Sequence, residues 1–276
     1  MGYLNVKSFI YDGVSSEAYG LGIGWLKSDN RSSVNTGLAV DIKRGEMNMV
    51  RTEPNQYGVV YNNPLQFEFG IFKRDHRDFT YEESRRINRW LRGSSVYKRL
   101  YFEDENPEAV HFYAICTDIV DVTLSGITMK KLTFICNSPF GYLAEVKKKI
   151  SSTSSWKSFR LLNQSDHGVY YPRIQISAKG SYTGQILIEN QTEGKTLTVD
   201  FSKVSSVDSQ KTLILDGKRT QVTDQNGTLI PVYKIGWDDP ENIYWVRLTE
   251  ENNMFRVKGT AELTMFFEFP RKVGVV

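Results

Sequence analysis

The sequence predicts a mainly β chain of two domains. The N-terminal half is strand-rich and carries one amphipathic helix; the C-terminal half is an antiparallel β-sandwich or jelly roll. Three observations predict this. Short apolar runs of period two, broken by Gly, Asn and Asp turns, recur along most of the 276 residues. One segment, residues 80–93, has helical periodicity with both of its ends marked. A polar stretch near residues 140–160 divides the half with the helix from a half that shows no helical stripe.

The helix follows residue by residue. Thr80 is placed as N-cap, where its hydroxyl accepts from an orphan amide of the first turn. Glu83 stands three residues on and completes a capping box. Glu82 and Glu83 put negative charge at the positive end of the dipole, and Arg92 puts positive charge at the other. Glu82 also stands one turn before Arg86. Ile87, Trp90 and Leu91 form the apolar face, and Gly93 is expected to end the helix in the left-handed conformation.

The other N-terminal elements are strands. Residues 8–11 lead to a turn at Asp12-Gly13, and residues 19–25 are glycine-rich. Residues 29–37 are polar and read as a loop, whereas residues 38–43 and 47–52 alternate around Arg44-Gly45 as a hairpin. Residues 59–61 form a short strand, and Leu65, Phe67, Phe69 and Ile71 line one face of the next. After the helix come strands at 100–102, 111–122 and 128–137.

The expected domains are residues 1–145 and 146–276. Lys147-Lys148-Lys149 and the serine-rich residues 151–155 read as a solvated linker. Strands follow at 172–178, 184–189, 195–201 and 212–215. Asp216-Gly217 and Asn226-Gly227 mark turns, and further strands are expected at 218–223, 244–248, 255–258 and 261–269.

Composition narrows the function classes. With 35 basic against 32 acidic residues the net charge is +3, too small for a general polyanion binder. Aromatic residues at 13% suit sheet cores and interfaces. The opening residues lack the apolar segment of an export leader, and no apolar run is long enough to span a membrane. Cys116 and Cys136 each lie in an apolar β-like run and read as buried, reduced thiols.

No catalytic residue, metal-ligand set or cofactor motif emerges. Gly20-Leu21-Gly22-Ile23-Gly24 lacks nucleotide-loop spacing and reads as a flexible or bulged strand. His76, His111 and His167 are dispersed. Asp238-Asp239-Pro240-Glu241 has carboxylates for calcium but reads as a turn opened before proline. Trp237, Tyr244 and Trp245 crowd one stretch and are the candidate carbohydrate-stacking residues, weighed against the bland reading that at least two fill the sandwich core.

The order of these elements resembles the distal tail protein (Dit) family of long-tailed bacteriophages. Phe9-Ile10-Tyr11-Asp12-Gly13-Val14-Ser15-Ser16-Glu17-Ala18-Tyr19-Gly20-Leu21 is similar to the family's opening strand, and Gly45-Glu46-Met47-Asn48 to its hairpin. Residues 79–102 resemble its helix and following strand, and residues 133–139 the closing strand of its first domain. Residues 186–200 with 213–217 resemble its second domain. Phe140-Gly141-Tyr142 departs from the tryptophan that many relatives have there.

What the resemblance implies is structural: a non-enzymatic virion protein at the tail tip, assembled in the host cytoplasm. It would form a homo-hexameric ring around a channel that passes DNA without specific binding. One ring face would meet the tail tube protein and the other the tail-tip hub protein. The second domain would be a galectin-like sandwich projecting outward, an attachment point for receptor-binding proteins. The alternative is a carbohydrate-binding protein recognising host cell-wall glycans through that sandwich.

One physical argument meets the resemblance. The hairpin of residues 38–52 carries Val40, Ile42, Met47, Met49 and Val50 between polar loops. A two-stranded hairpin is marginal alone in water, so it must lie on something. A neighbouring subunit, through a heterologous ring contact, is the expected partner.

Overall fold

A computed structural model of the chain describes residues 7–24, 41–44, 56–60, 63–103, 109–124, 126–180, 182–204, 212–239 and 243–272. The chain divides into two compact units: Met1–Leu143 with Pro270–Val276, and Ala144–Phe269.

The first unit contains β1 (Ser8–Tyr11), β2 (Val14–Ser15), β3 (Leu21–Gly24), β4 (Asp41–Arg44), β5 (Gln56–Val60) and β6 (Gln66–Lys73). Helix α1 (Tyr81–Arg92) follows, then β7 (Lys98–Glu103), β8 (His111–Leu124), β9 (Ile127–Cys136) and β10 (Gly141–Tyr142). Its large antiparallel sheet runs β2-β1-β7-β8-β9-β6-β3. Asp12 (φ 50°) and Gly13 (φ 79°) form the turn between β1 and β2, the positive-φ pair that a tight hairpin requires.

Period-two alternation sends alternate aromatics to one face. Phe67 and Phe69 of β6 meet Phe102 of β7, Phe112 of β8 and Phe134 of β9, all buried. Phe69 stacks on Phe134 with ring centroids 5.6 Å apart, and Phe9 meets Phe69 edge-on at 5.3 Å. The glycines of β3 are set by close packing. A Cβ on Gly22 would stand 2.8 Å from Phe72 Cζ, and one on Gly24 would stand 2.5 Å from Met129 Cε.

Two expectations for this unit are corrected. Gly93 is not left-handed: its φ is −74° and ψ −3°. Glycine suits the position because a Cβ there would collide with the Arg89 carbonyl oxygen. Residues 41–44 find a partner strand at Gln56–Val60, further along the chain than the expected 47–52. The register shift between Lys43 and Arg44 shows where simple alternation fails. Among the interface candidates, Ile42 lies in β4 opposite Val59; Val40, Met47, Met49 and Val50 lie outside the described residues.

The second unit holds β11 (Val146–Ser151), β12 (Lys157–Leu162), β13 (Arg173–Ala178), β14 (Gln185–Asn190), β15 (Lys195–Asp200), β16 (Thr212–Asp216), β17 (Gln221–Asp224), β18 (Asn252–Lys258) and β19 (Ala261–Phe267). One antiparallel sheet runs β11-β19-β13-β16-β17, the other β12-β18-β14-β15. Ile174, Ile176, Leu213 and Leu263 bury one face of the first; Ile186, Ile188, Phe255 and Val257 bury one face of the second.

Here too the structure corrects the sequence reading. Lys147, Lys148 and Lys149 are not a linker but the middle of edge strand β11, paired with Phe266, Met265 and Thr264. Lysines on an edge strand discourage pairing with foreign strands, which accounts for a polar run inside a sheet. Residues 244–248 are not a strand. Val246 and Leu248 are buried, so their alternation reports burial, and the segment's backbone joins a ladder only at the Tyr170–Leu248 bridge. Finally, β20 (Pro270–Arg271) pairs with β10, Gly141 opposite Arg271 and Tyr142 opposite Pro270. The last residues therefore belong to the first unit, because β10 pairs with β8 only at Tyr142–His111 and offers an edge for β20 to fill.

Candidate functional site

Helix α1 is the most heavily determined feature of the first unit. The Glu83 amide donates to Thr80 Oγ1 at 3.2 Å, and the Thr80 amide donates to Glu83 Oε2 at 2.8 Å, completing the capping box. Glu83 also accepts from Lys73 Nζ at 2.8 Å. The Lys73 hydrogen bond, then that of the Thr80 amide, pulls the Glu83 carboxyl down to about 2. Ile87 and Leu91 are buried. Trp90 lies between Phe9 (5.4 Å) and Tyr19 (4.8 Å), near-parallel to both, and its Nε1 donates to the Tyr11 carbonyl at 3.0 Å. A cleft of about 140 Å³ opens beside the helix, lined by Tyr19, Leu21, Lys73, Phe79, Glu83 and Ile87. Arg86 lines it as well, and its lysine and glutamate are paired with each other.

In the second unit the candidate aromatics join a polar network. Asn190 is fully buried; the two hydrogens of its Nδ2 are shared among Glu193 Oε2 (3.2 Å), Tyr244 Oη (3.0 Å) and the Arg247 carbonyl (3.1 Å). Its Oδ1 accepts from the Thr192 amide at 3.1 Å. Tyr244 Oη donates to Glu193 at 2.8 Å, and Arg247 Nε donates to the same carboxylate at 2.9 Å. Burial works against the charged form of Glu193, yet the Arg247 and Tyr244 hydrogen bonds outweigh it and hold its carboxyl below the ordinary range. This network fixes residues 244–248 where ladder hydrogen bonds do not, so its chemistry is structural.

The carbohydrate-stacking candidates are therefore dispersed in role. Trp237 is 8% exposed, donates its Nε1 to the Thr198 carbonyl at 2.5 Å and meets Trp245 edge-on at 5.3 Å. Tyr244 is committed to Asn190 and Glu193, and Trp245 is half-buried. Cys116 and Cys136 are free and buried, and desolvation pushes both thiols up to about 12. Among the described residues no group of three or more His, Cys, Asp or Glu could hold a metal ion, and no helix is long and apolar enough to cross a membrane. Asp238 pairs with Lys203 at 3.1 Å.

Sequence reasoning passed over one surface. Trp156 is exposed and lies over the Arg256 guanidinium at 4.4 Å, and Arg256 Nε donates to Glu189 Oε2 at 2.7 Å. Trp156 follows the serine run read as linker, so nothing local marked it. The pattern that could have found it is the alternation of Phe159 and Leu161 with Ser158, Arg160 and Leu162, which sends the second set to solvent.

Comparison with known proteins agrees with this geometry. Residues 4–138 match the model of a phage tail protein N-terminal domain, and residues 140–267 that of a phage tail C-terminal domain. No curated protein matches the chain. The SPP1 Dit (gp 19.1) protein, a paradigm of hub adsorption apparatus in phages infecting Gram-positive hosts, is similar with a TM-score of 0.62 at 14% identity, over 96% of this chain and 100% of that one. A chain of the phage P2 baseplate in its activated conformation with Ca is similar with a TM-score of 0.53 at 11% identity, over 98% of this chain and 99% of that one. At these identities the likeness is one of fold.

Proposed function

Since the chain belongs to the phage tail protein family, we propose that it is a non-catalytic structural component of the tail tip, a homo-hexameric ring that joins the tail tube to the hub and receptor-binding apparatus. The ring encloses the channel through which DNA passes without specific binding. It assembles in the host cytoplasm and resides in the virion at the tail tip. The observation that carries this reading is the full-length match, in both units and in their order, to a fold whose solved example is the Dit protein of a hub adsorption apparatus.

A second observation supports ring contacts. Among the described residues, strands β4 and β5 form a two-stranded sheet joined to none of the others. Such a ribbon needs an external surface, and a neighbouring copy supplies one in a closed heterologous ring. Val40, Ile42, Met47, Met49 and Val50 are the residues assigned to that contact. Native mass by light scattering, with negative-stain images of the purified chain, tests the reading: a six-fold ring with a central hole is expected. Met49→Asp should lower the oligomeric mass. A ring that persists unchanged in that variant refutes the hairpin assignment, and a chain that stays monomeric even with tube and hub proteins present refutes the ring.

A further inference from the structure

We propose that the outer face of α1, with the cleft beside it, docks an acidic segment of a protein partner that carries one bulky apolar side chain. The inference stands on the single chain and does not rest on ring assembly. Helical periodicity sets Tyr81, Arg85, Arg89 and Arg92 within an arc of about 80°, turned away from the buried Ile87 and Leu91. All four are exposed, Tyr81 to 83%. Arg86 stands further round the helix and lines the cleft.

Four neighbouring cations are each matched to a carboxylate. Lys73 pairs with Glu83 (2.8 Å), Arg74 with Glu17 (2.5 Å), Arg77 with Asp75 (2.6 Å) and Lys98 with Asp12 (3.1 Å). Among the described residues, no carboxylate or other hydrogen-bond partner engages the side chains of Arg85, Arg86, Arg89 or Arg92. The helix dipole accounts for Arg89 and Arg92, which stand in the last turn. It does not account for Arg85 and Arg86. Arg85 also stands one turn before Arg89, a spacing of like charges that weakens a helix.

A guanidinium fork complements a carboxylate. Tyrosine and arginine concentrate at protein interfaces, where lysine is depleted, and α1 contains no lysine. Glu82 stands one turn before Arg85 and Arg86, so a phosphate backbone laid along the strip would meet a carboxylate. A second copy has few acids to offer. Glu17, Glu68, Asp75, Glu83 and Asp121 are each paired with a cation of their own, which points to another protein. The cleft adds the apolar requirement. Its volume is about 140 Å³, with Tyr19, Leu21, Phe79 and Ile87 among its walls. A space of about 150 Å³ takes a benzene ring, so the cleft is sized for one phenylalanine or leucine side chain. Arg86 then meets a carboxylate beside that anchor.

The experiment titrates the full chain at low salt, by calorimetry, with a blocked peptide of glutamates around one central phenylalanine. That peptide is expected to bind, its version with alanine at the centre about tenfold more weakly, and its version with lysines for glutamates not at all. Arg85→Gln combined with Arg89→Gln should weaken binding about tenfold. Ala18 is exposed at the cleft, so Ala18→Leu should fill it and remove the advantage of phenylalanine over alanine. All three positions are exposed, and each variant should keep the wild-type circular dichroism spectrum. Absence of binding, or equal affinity in the double arginine variant, overturns the proposal. Displacement of the peptide by a DNA duplex overturns it in favour of nucleic acid. A fall in oligomeric mass in the double arginine variant overturns it in favour of a second copy, and leaves the ring itself standing.

Discussion

Replacing Trp90 with Ala should destabilise the first unit by about 4 kcal/mol. The indole is only half-buried, so the packing loss belongs at the low end of the range for Trp→Ala, about 3 kcal/mol. It removes two near-parallel ring contacts, with Phe9 at 5.4 Å and Tyr19 at 4.8 Å. It also removes the 3.0 Å hydrogen bond to the Tyr11 carbonyl, worth about 1 kcal/mol net. Trp90→Phe keeps a ring between Phe9 and Tyr19 but loses the donor, so it should cost about 1–2 kcal/mol. For a unit of this size 4 kcal/mol lowers the melting temperature by roughly 10 °C. Urea unfolding followed by near-ultraviolet circular dichroism, which reports the aromatic cluster, is the assay. If the two variants lose equal stability, the indole's stacking between Phe9 and Tyr19 is not what holds α1 to the sheet. If neither moves the transition, the helix is peripheral to the first unit's fold.

Three further outcomes are expected. The Glu83 carboxyl is depressed in the folded state, so its contribution is present above the ordinary glutamate range and is lost as pH falls towards about 2. Glu83→Gln should therefore be less stable than wild type at pH 7, with the gap closing near pH 2; denaturant midpoints across that window check it. Gly22→Ala drives a methyl against the Phe72 ring and should cost about 1–3 kcal/mol, and Phe72→Leu in the same chain should restore part of the loss in thermal melts. Burial and raised thiol pKa values make Cys116 and Cys136 inert, so the native chain should react slowly with a thiol-specific chromogenic disulfide at pH 8 while the chain in urea reacts at both.

Local chemistry made much of the fold legible. The capping box at Thr80 and Glu83, the turn at Asp12-Gly13 and the alternation of Phe67, Phe69 and Ile71 need only neighbours in sequence, and each stands in the structure as read. Legibility failed where a segment's state depends on a distant partner. The lysines of β11 look like a linker until β19 pairs with them. Residues 244–248 look like a strand because every second residue is buried, but Asn190, Glu193 and Arg247 hold them instead of a ladder. Gly93 ends the helix as local composition suggests, but the collision that glycine avoids there involves the Arg89 carbonyl, four residues earlier in a finished helix.

By itself the sequence determined the mainly β class, the amphipathic helix that opens at Thr80, the buried cysteines and the likeness to phage distal tail proteins, because these rest on periodicity, capping and motif order along the chain. Only the tertiary structure decided which sheet edge receives the C-terminal strand, that Trp237 is buried, and that Trp156 shares a solvent face with Arg256 and Glu189. Those facts depend on contacts between residues distant in sequence, such as Gly141 opposite Arg271 and Ser158 opposite Arg256, which no local pattern encodes.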